Sequence, residues 1–300
     1  MSHRPDFIWV NGEFRGAGAP LLSARDRGLL YGDGLFETLR AYDGVPFLLN
    51  EHLDRLSDSA AFLCIGDPPD AAALGQAITE LLHRNGLRDA YVRITFTRGE
   101  HTGSLELEPA EAPTCIAVAQ PLRPLPPSRY DPGSTAIIAS TRQNADSPLP
   151  RHKTLNYLNN LLARTEARER GADEAILLNT RGQVAEAASS NLFLVRQGRL
   201  VTPSLDSNIL PGVTRAEVLR LAREAGIPSE ERTIRPDELQ LADEVLLTNS
   251  VAELVPIRSI EGRTVGQGRP GAVTRRLHMA YSNRVGQYTE AGLGSLTAIN

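Results

Sequence analysis

Thirteen residues in the middle of the chain, Pro121 to Gly133, hold five prolines, and this stretch restricts the fold more than any other feature. Each proline removes a backbone donor and fixes φ, so the stretch can form neither a helix nor a central strand. It reads as a linker. The 300-residue chain then divides into a first domain over 1–120, the linker over 121–133 and a second domain over 134–300.

The flanking patterns predict mixed α/β (α+β) architecture on both sides. Phe7–Val10 and Glu13–Arg15 flank Asn11-Gly12, and Phe36–Tyr42 and Val45–Leu48 flank Asp43-Gly44; both read as hairpins with tight turns. Leu53, Leu56, Ala60 and Leu63 recur at helical spacing behind Asn50, a candidate N-cap. A second helix is expected over 70–84, ended by Asn85-Gly86, and strands over 90–97 and 114–119. Beyond the linker, a strand over 135–140 precedes a helix over 156–170 closed by Gly171. Strands over 174–179, 190–195 and 244–248 follow, with a helix over 215–225.

Lysine and arginine together number 32, yet only Lys153 is a lysine. A chain this rich in arginine could have placed a guanidinium wherever charge alone was wanted. A guanidinium stays protonated, whereas a desolvated lysine amine is a nucleophile that condenses with carbonyl groups. Lys153 is therefore the leading candidate for Schiff-base chemistry.

Other functions find little support. The formal charge of −4 and dispersed arginines argue against nucleic acid or an anionic membrane as partner. No stretch approaches the roughly 20 apolar residues of a membrane helix, and Met1–Asn11 lacks a signal pattern, so a cytoplasmic protein is expected. Cys64 and Cys115 lie in apolar surroundings and read as buried free thiols, and no His/Cys spacing suggests a metal site.

Glu186 lies thirty-three residues after Lys153, among small residues and ahead of a strand. Such a carboxylate suits pairing with a protonated pyridine nitrogen, which keeps that ring an electron sink. Leu210-Pro211-Gly212-Val213-Thr214-Arg215 offers a glycine turn and a hydroxyl at a helix start, a phosphate-binding pattern. Thr248-Asn249-Ser250 adds hydroxyl and amide donors after a strand. Arg55 could supply the planar fork suited to phosphate, or else an i,i+4 pair with Glu51. Gly32-Asp33-Gly34 reads as a tight turn only.

Taken together, six blocks in one order resemble the class IV (fold-type IV) enzymes that use pyridoxal 5′-phosphate (PLP). They are Tyr31–Arg40, His52–Leu56, Lys153–Tyr157, Glu186–Phe193, Leu210–Arg215 and Thr248–Ser250. That family includes branched-chain aminotransferases, D-amino-acid aminotransferases and aminodeoxychorismate lyases. The resemblance implies a small N-terminal α/β domain and a larger C-terminal domain with a barrel-like sheet. It also implies a homodimer whose subunits complete each other's active sites. By the same resemblance, Lys153 carries the cofactor as a Schiff base, Glu186 holds the pyridine nitrogen and Tyr157 lies beside the ring hydroxyl. Arg55, Val213, Thr214 and Thr248 bind the phosphate.

The expected activity is amino transfer between a small amino acid (branched-chain or D) and a 2-oxo acid. The alternatives are the lyase, which makes 4-aminobenzoate and pyruvate, and a PLP-binding protein without catalysis. Tyr91 and Arg93 resemble the branched-chain carboxylate-recognition pattern. Thr38, where branched-chain enzymes usually carry glycine, suits the lyase as well. Arg98 and His101 are three apart, unlike the Arg-x-His carboxylate trap of the D-enzymes. Tyr31, Arg40, Arg98 and Asn249 complete the set of candidate substrate contacts.

Overall fold

The computed structural model describes residues 7–100 and 105–297, so His101 and the first six residues lie outside the described residues. Contacts group the chain into two compact units. The first gathers Met1–Arg123, Lys153–Asn156 and Val285–Asn300; the second gathers Pro124–His152 and Tyr157–Arg284. The break at Arg123 falls inside the proline-rich stretch. Two pieces expected in the second domain, the lysine segment and the chain's C-terminal end, group with the first unit instead.

The first unit is built on a six-stranded sheet in the order β2-β1-β6-β5-β3-β4. Its strands are β1 (Phe7–Val10), β2 (Glu13–Gly16), β3 (Gly34–Tyr42), β4 (Val45–Pro46), β5 (Ala90–Thr97) and β6 (Thr114–Pro121). Both predicted hairpin turns form, with Asn11 and Gly12, then Asp43 and Gly44, at positive φ. Alternation along β3 and β5 sends Leu35, Leu39, Val92, Ile94 and Phe96 to one face. There they pack under α2 (Leu49–Phe62) and α3 (Ala71–Arg84), which supply Leu53, Leu56, Leu74, Ile78 and Leu81. A short helix, α1 (Arg27–Tyr31), precedes β3 and is capped by Asp26. Helix α2 starts two residues earlier than expected: Leu48, at φ 52, is its N-cap rather than Asn50. Leu48 is buried, and packing, not side-chain capping, sets that boundary. Both cysteines are free and Cys115 is buried, as expected, but Cys64 is exposed in the turn after α2 between buried Leu63 and Ile65.

The second unit holds a nine-stranded sheet. Its strands are β7 (Ser134–Gln143), β8 (Glu174–Asn179), β9 (Val184–Ala187), β10 (Asn191–Arg196), β11 (Arg199–Thr202), β12 (Ser229–Glu231), β13 (Glu244–Asn249), β14 (Glu253–Ile260) and β15 (Arg263–Thr264). The order runs β12-β11-β10-β13-β14-β7-β8-β9, with β15 on β14. The last strand, β9, meets the start of β10 again through the Ala187–Ser190 bridge. The path from β10 round to β9 thus curls back on itself into a barrel-like sheet. Helices α4 (Leu158–Glu169), α5 (Val213–Glu224) and α6 (Pro236–Gln240) belong to this unit, and α7 (Ala272–Thr297) begins in it. Glu244 of β13 accepts hydrogen bonds from Val273 N–H (3.0 Å) and Thr274 N–H (2.8 Å), so a strand carboxylate caps α7.

Candidate active site

In the first unit, the segment 153–156 lies against the start of β3. Phe36 N–H donates to the Lys153 carbonyl at 2.8 Å, and Leu155 N–H donates to the Gly34 carbonyl at 2.9 Å. Gly34 is required here, since a Cβ would meet the Phe96 carbonyl oxygen at 2.7 Å. These bonds are why the lysine groups with the first unit. Its Nζ lies 4.4 Å from the centre of the Phe36 ring, and the Arg93 guanidinium carbon lies 3.9 Å from the same ring. Cation–π attraction thus gathers two cations on one phenyl group.

Strand alternation places Thr38 and Arg40 on the Phe36 side of β3, away from the helices. In β5, Arg93 lies opposite Thr38 and Tyr91 opposite Arg40. All four are partly exposed. The sheet face that carries the lysine amine therefore also carries four of the candidate substrate contacts. Tyr31 is exposed at the end of α1, with the Arg27 guanidinium carbon 5.4 Å from its ring centre.

Arg98 does not join them. Its side chain is buried, and all five N–H groups have protein acceptors. Nε and Nη2 donate to Asp33 (2.8 and 3.2 Å), Nη2 also to Leu63 O (2.7 Å), and Nη1 to Cys64 O (2.7 Å) and Glu108 O (2.5 Å). That leaves no donor for a substrate carboxylate, which corrects the expectation for this residue. Asp33, read from sequence as a turn residue only, is the acidic centre of the cluster and also accepts from Arg27 Nε at 2.6 Å. Burial opposes its charge, but the two guanidiniums hold its carboxyl below the usual range.

On the helix side of the sheet, Glu37 is buried and accepts from Arg55 Nε (2.8 Å), Arg55 Nη2 (2.6 Å) and His52 Nδ1 (2.8 Å). Burial would raise its pKa, yet Arg55 and His52 override that and hold the carboxyl far below its ordinary value. His52 shifts down, because burial disfavours its charge more strongly than Glu37 favours it. Arg55 thus pairs with Glu37 rather than with Glu51. Glu37 was invisible as a partner in the sequence, because eighteen residues separate the two.

In the second unit, Glu186 is buried in β9. Its Oε2 accepts from Asn191 Nδ2 (3.1 Å) and Leu210 N–H (3.2 Å), and its Oε1 from Gln143 Nε2 (3.2 Å). Tyr157 O–H donates to the Ala188 carbonyl at 3.1 Å. Helix α5 opens at Gly212 without a side-chain cap, so its first amides carry the positive end of the helix dipole unaided. A Cβ on Gly212 would fall 1.8 Å from Asn191 Oδ1, so only glycine fits that turn. Thr214 Oγ1 lies 3.3 Å from Ser250 Oγ, a hydroxyl pair that links the helix start to the turn after β13. Thr248 Oγ1 is buried without a hydrogen-bond partner. Asn249 Nδ2 donates to Ser190 Oγ at 2.8 Å, and its Oδ1 accepts from Val251 and Ala252 N–H at 2.9 and 2.7 Å, which shapes the same turn.

A nucleophilic amine, a fixed buried carboxylate, an uncapped helix start and an orphaned buried hydroxyl are the parts a phosphorylated pyridine aldehyde requires. The residues present fit PLP, and with the curled sheet they define a PLP-dependent enzyme. The family model for Amino-transferase class IV matches residues 34–260, and the chain belongs to that family. A Methanocaldococcus jannaschii protein provisionally named a branched-chain-amino-acid aminotransferase is 43% identical over 275 residues, 90% of this chain and 93% of its own. The D-alanine aminotransferase of Bacillus licheniformis is 34% identical, over 93% of this chain and 96% of that one. The crystal structure of the Escherichia coli branched-chain amino acid aminotransferase superposes with a TM-score of 0.88 at 34% identity, covering 93% of this chain and 94% of that one. The protein is a PLP-dependent aminotransferase with the two-part α/β architecture of fold type IV. No helix among the described residues is long and apolar enough to cross a membrane.

Proposed function

We propose that this enzyme moves an amino group between a small amino acid of branched-chain type and a 2-oxo acid, with Lys153 as its catalytic amine. The observation that carries the reading is the Lys153 amine at the Phe36 ring, on the sheet face that also presents Thr38, Arg40, Tyr91 and Arg93. PLP, when bound, supplies the electron sink that lets the substrate Cα–H ionise. Lys153 moves the proton at that carbon. Arg93 and Tyr91 receive the substrate carboxylate, Arg93 already fixed over Phe36 and so oriented before substrate arrives. Glu186 holds the ring nitrogen, and Tyr157 lies beside the ring hydroxyl. The α5 start at Val213 and Thr214, the Thr248 and Ser250 hydroxyls and Arg55 hold the phosphate. Glu37 holds the Arg55 guanidinium in place through two hydrogen bonds. We read the working form as a homodimer in the cytoplasm, which sedimentation of the purified enzyme and cell fractionation would check.

A half-reaction screen tests the substrate reading. The PLP-loaded protein is mixed with single L- and D-amino acids and its visible absorbance band is followed. Loss of the band with L-leucine, L-valine or L-glutamate supports the branched-chain reading. Loss with D-amino acids alone replaces it with a D-specific enzyme of the kind that D-alanine aminotransferase represents. Thr38 in place of the usual glycine favours one other reading, and the 4-amino-4-deoxychorismate lyase of Pseudomonas aeruginosa is 37% identical in sequence, with a TM-score of 0.80. A band that persists with every amino acid, together with 4-aminobenzoate formed from aminodeoxychorismate, would establish that reading instead.

A further inference from the structure

Three donors converge on the Glu186 carboxylate, and two of them are side-chain amides whose orientation is forced. Gln143, at the end of β7, donates from Nε2 both to Glu186 Oε1 (3.2 Å) and to the Asn208 carbonyl (2.5 Å). Both partners are acceptors, so only the NH2 side of the amide can face them. Asn191 repeats the device, with Nδ2 donating to Glu186 Oε2 (3.1 Å) and to the Leu210 carbonyl (2.9 Å). Leu210 N–H completes the set at 3.2 Å. Asn208 and Leu210 lie in the segment that runs directly into Gly212 and the start of α5. Asn208 is itself held in the left-handed conformation (φ 61), its Nδ2 donating to the carbonyls of Asn144 (2.8 Å) and Ser147 (2.5 Å). Gln143 also has its backbone fixed, since its carbonyl accepts from Thr180 N–H at 2.9 Å.

We propose that Gln143 is a positioning residue for the proton shared by Glu186 and the cofactor's ring nitrogen. Together with Asn191 it ties that carboxylate to the segment that leads into the phosphate-binding helix start. The proposal rests on the reading that Glu186 meets the ring nitrogen. Neutral donors to a carboxylate favour its charged form, so the shared proton stays on nitrogen and the ring remains an electron sink. Without the Gln143 donor, the proton moves toward Glu186. Because the same amide also bridges to Asn208, its loss further loosens the registry between the ring-nitrogen end and the phosphate end of the site.

The test is nitrogen-15 NMR of the holoenzyme loaded with PLP labelled at the ring nitrogen, recorded across pH. Gln143→Met keeps the length of the side chain and removes the donor; Gln143→Ala is the second variant should the first fold poorly. The expected result is a resonance displaced toward that of unprotonated nitrogen. The pH at which nitrogen loses its proton should fall by about one unit, the tenfold effect of one hydrogen bond to a charged group. The thermal midpoint of the PLP-free protein should change little. Glu186→Gln serves as the reference and should displace the resonance further in the same direction. An unmoved resonance in both Gln143 variants, with Glu186→Gln displaced, overturns the proposal and leaves Glu186 in its role. An unmoved resonance in Glu186→Gln itself overturns the reading of Glu186, and this proposal with it. A fall in thermal midpoint with the resonance in place assigns Gln143 a structural role only, which also overturns the proposal.

Discussion

Lys153 and Phe36 meet twice: the Lys153 carbonyl accepts the Phe36 N–H at 2.8 Å, and the Lys153 amine lies 4.4 Å from the centre of the Phe36 ring. One contact fixes the backbone and the other the tip of the side chain, so the amine has a defined position before cofactor arrives. Lys153→Ala should bind PLP with no visible absorbance band and no amino transfer. Because the chain has a single lysine, borohydride reduction of the loaded enzyme should label the Lys153 side chain and no other. A band that survives in the variant would remove Lys153 from its role.

Acid should destabilise the first unit in two stages of the same sign. His52, shifted down by burial, takes up a proton in the unfolded chain near its ordinary 6.5 while the folded protein resists, so stability falls as pH drops below that value. Glu37, shifted down by Arg55 and His52 against its burial, adds a second loss below its ordinary 4.5, where the unfolded chain binds a proton first. The thermal midpoint should therefore decline from pH 7 to pH 4. In His52→Gln the upper part of that decline should flatten. A decline unchanged in the variant would mean that other groups dominate.

Arg98 and Arg93 should behave oppositely although five residues separate them in one β-rich segment. Arg98→Leu breaks a buried pair with Asp33 and leaves three carbonyls without their donors, at a cost of about 3–5 kcal/mol. Denaturant unfolding should register that loss. Arg93→Leu should leave stability nearly unchanged and raise KM for amino and oxo acids. Equal losses of stability in both variants would contradict the roles assigned here.

Thr248→Val tests the phosphate site with two opposed readouts. The Thr248 hydroxyl is buried without a partner, an arrangement that costs about 1–3 kcal/mol in the PLP-free protein. Its isosteric replacement should raise the thermal midpoint of that form while weakening PLP binding about tenfold, the loss of one bond to a charged group. Unchanged PLP affinity would place the phosphate elsewhere.

Much of this was legible along the chain because the signals were local. Asn-Gly and Asp-Gly turns fix hairpins through the φ values their residues tolerate, and helical periodicity marks α2 and α3 through the faces they bury. A lone lysine in a chain of arginines, and six ordered blocks, pointed to PLP chemistry without any structure. Tertiary structure decided the rest, since it concerns pairs of residues distant in sequence. Asp33 was a turn residue until Arg98, sixty-five positions away, folded onto it, and Arg98 thereby ceased to be a substrate contact. Glu37 gained its meaning from α2, which brings Arg55 and His52 onto the helix side of β3. Lys153 left its expected domain because backbone hydrogen bonding to β3 outweighs position in sequence. The sequence by itself determined the hairpins, many of the helices and strands, the cofactor class and the family, which depend on residue type and short spacing, but not elements such as the long α7. Only the tertiary structure decided which charged groups are held by one another and which present their charge to a ligand, because burial and partner geometry exist only once the chain has closed on itself.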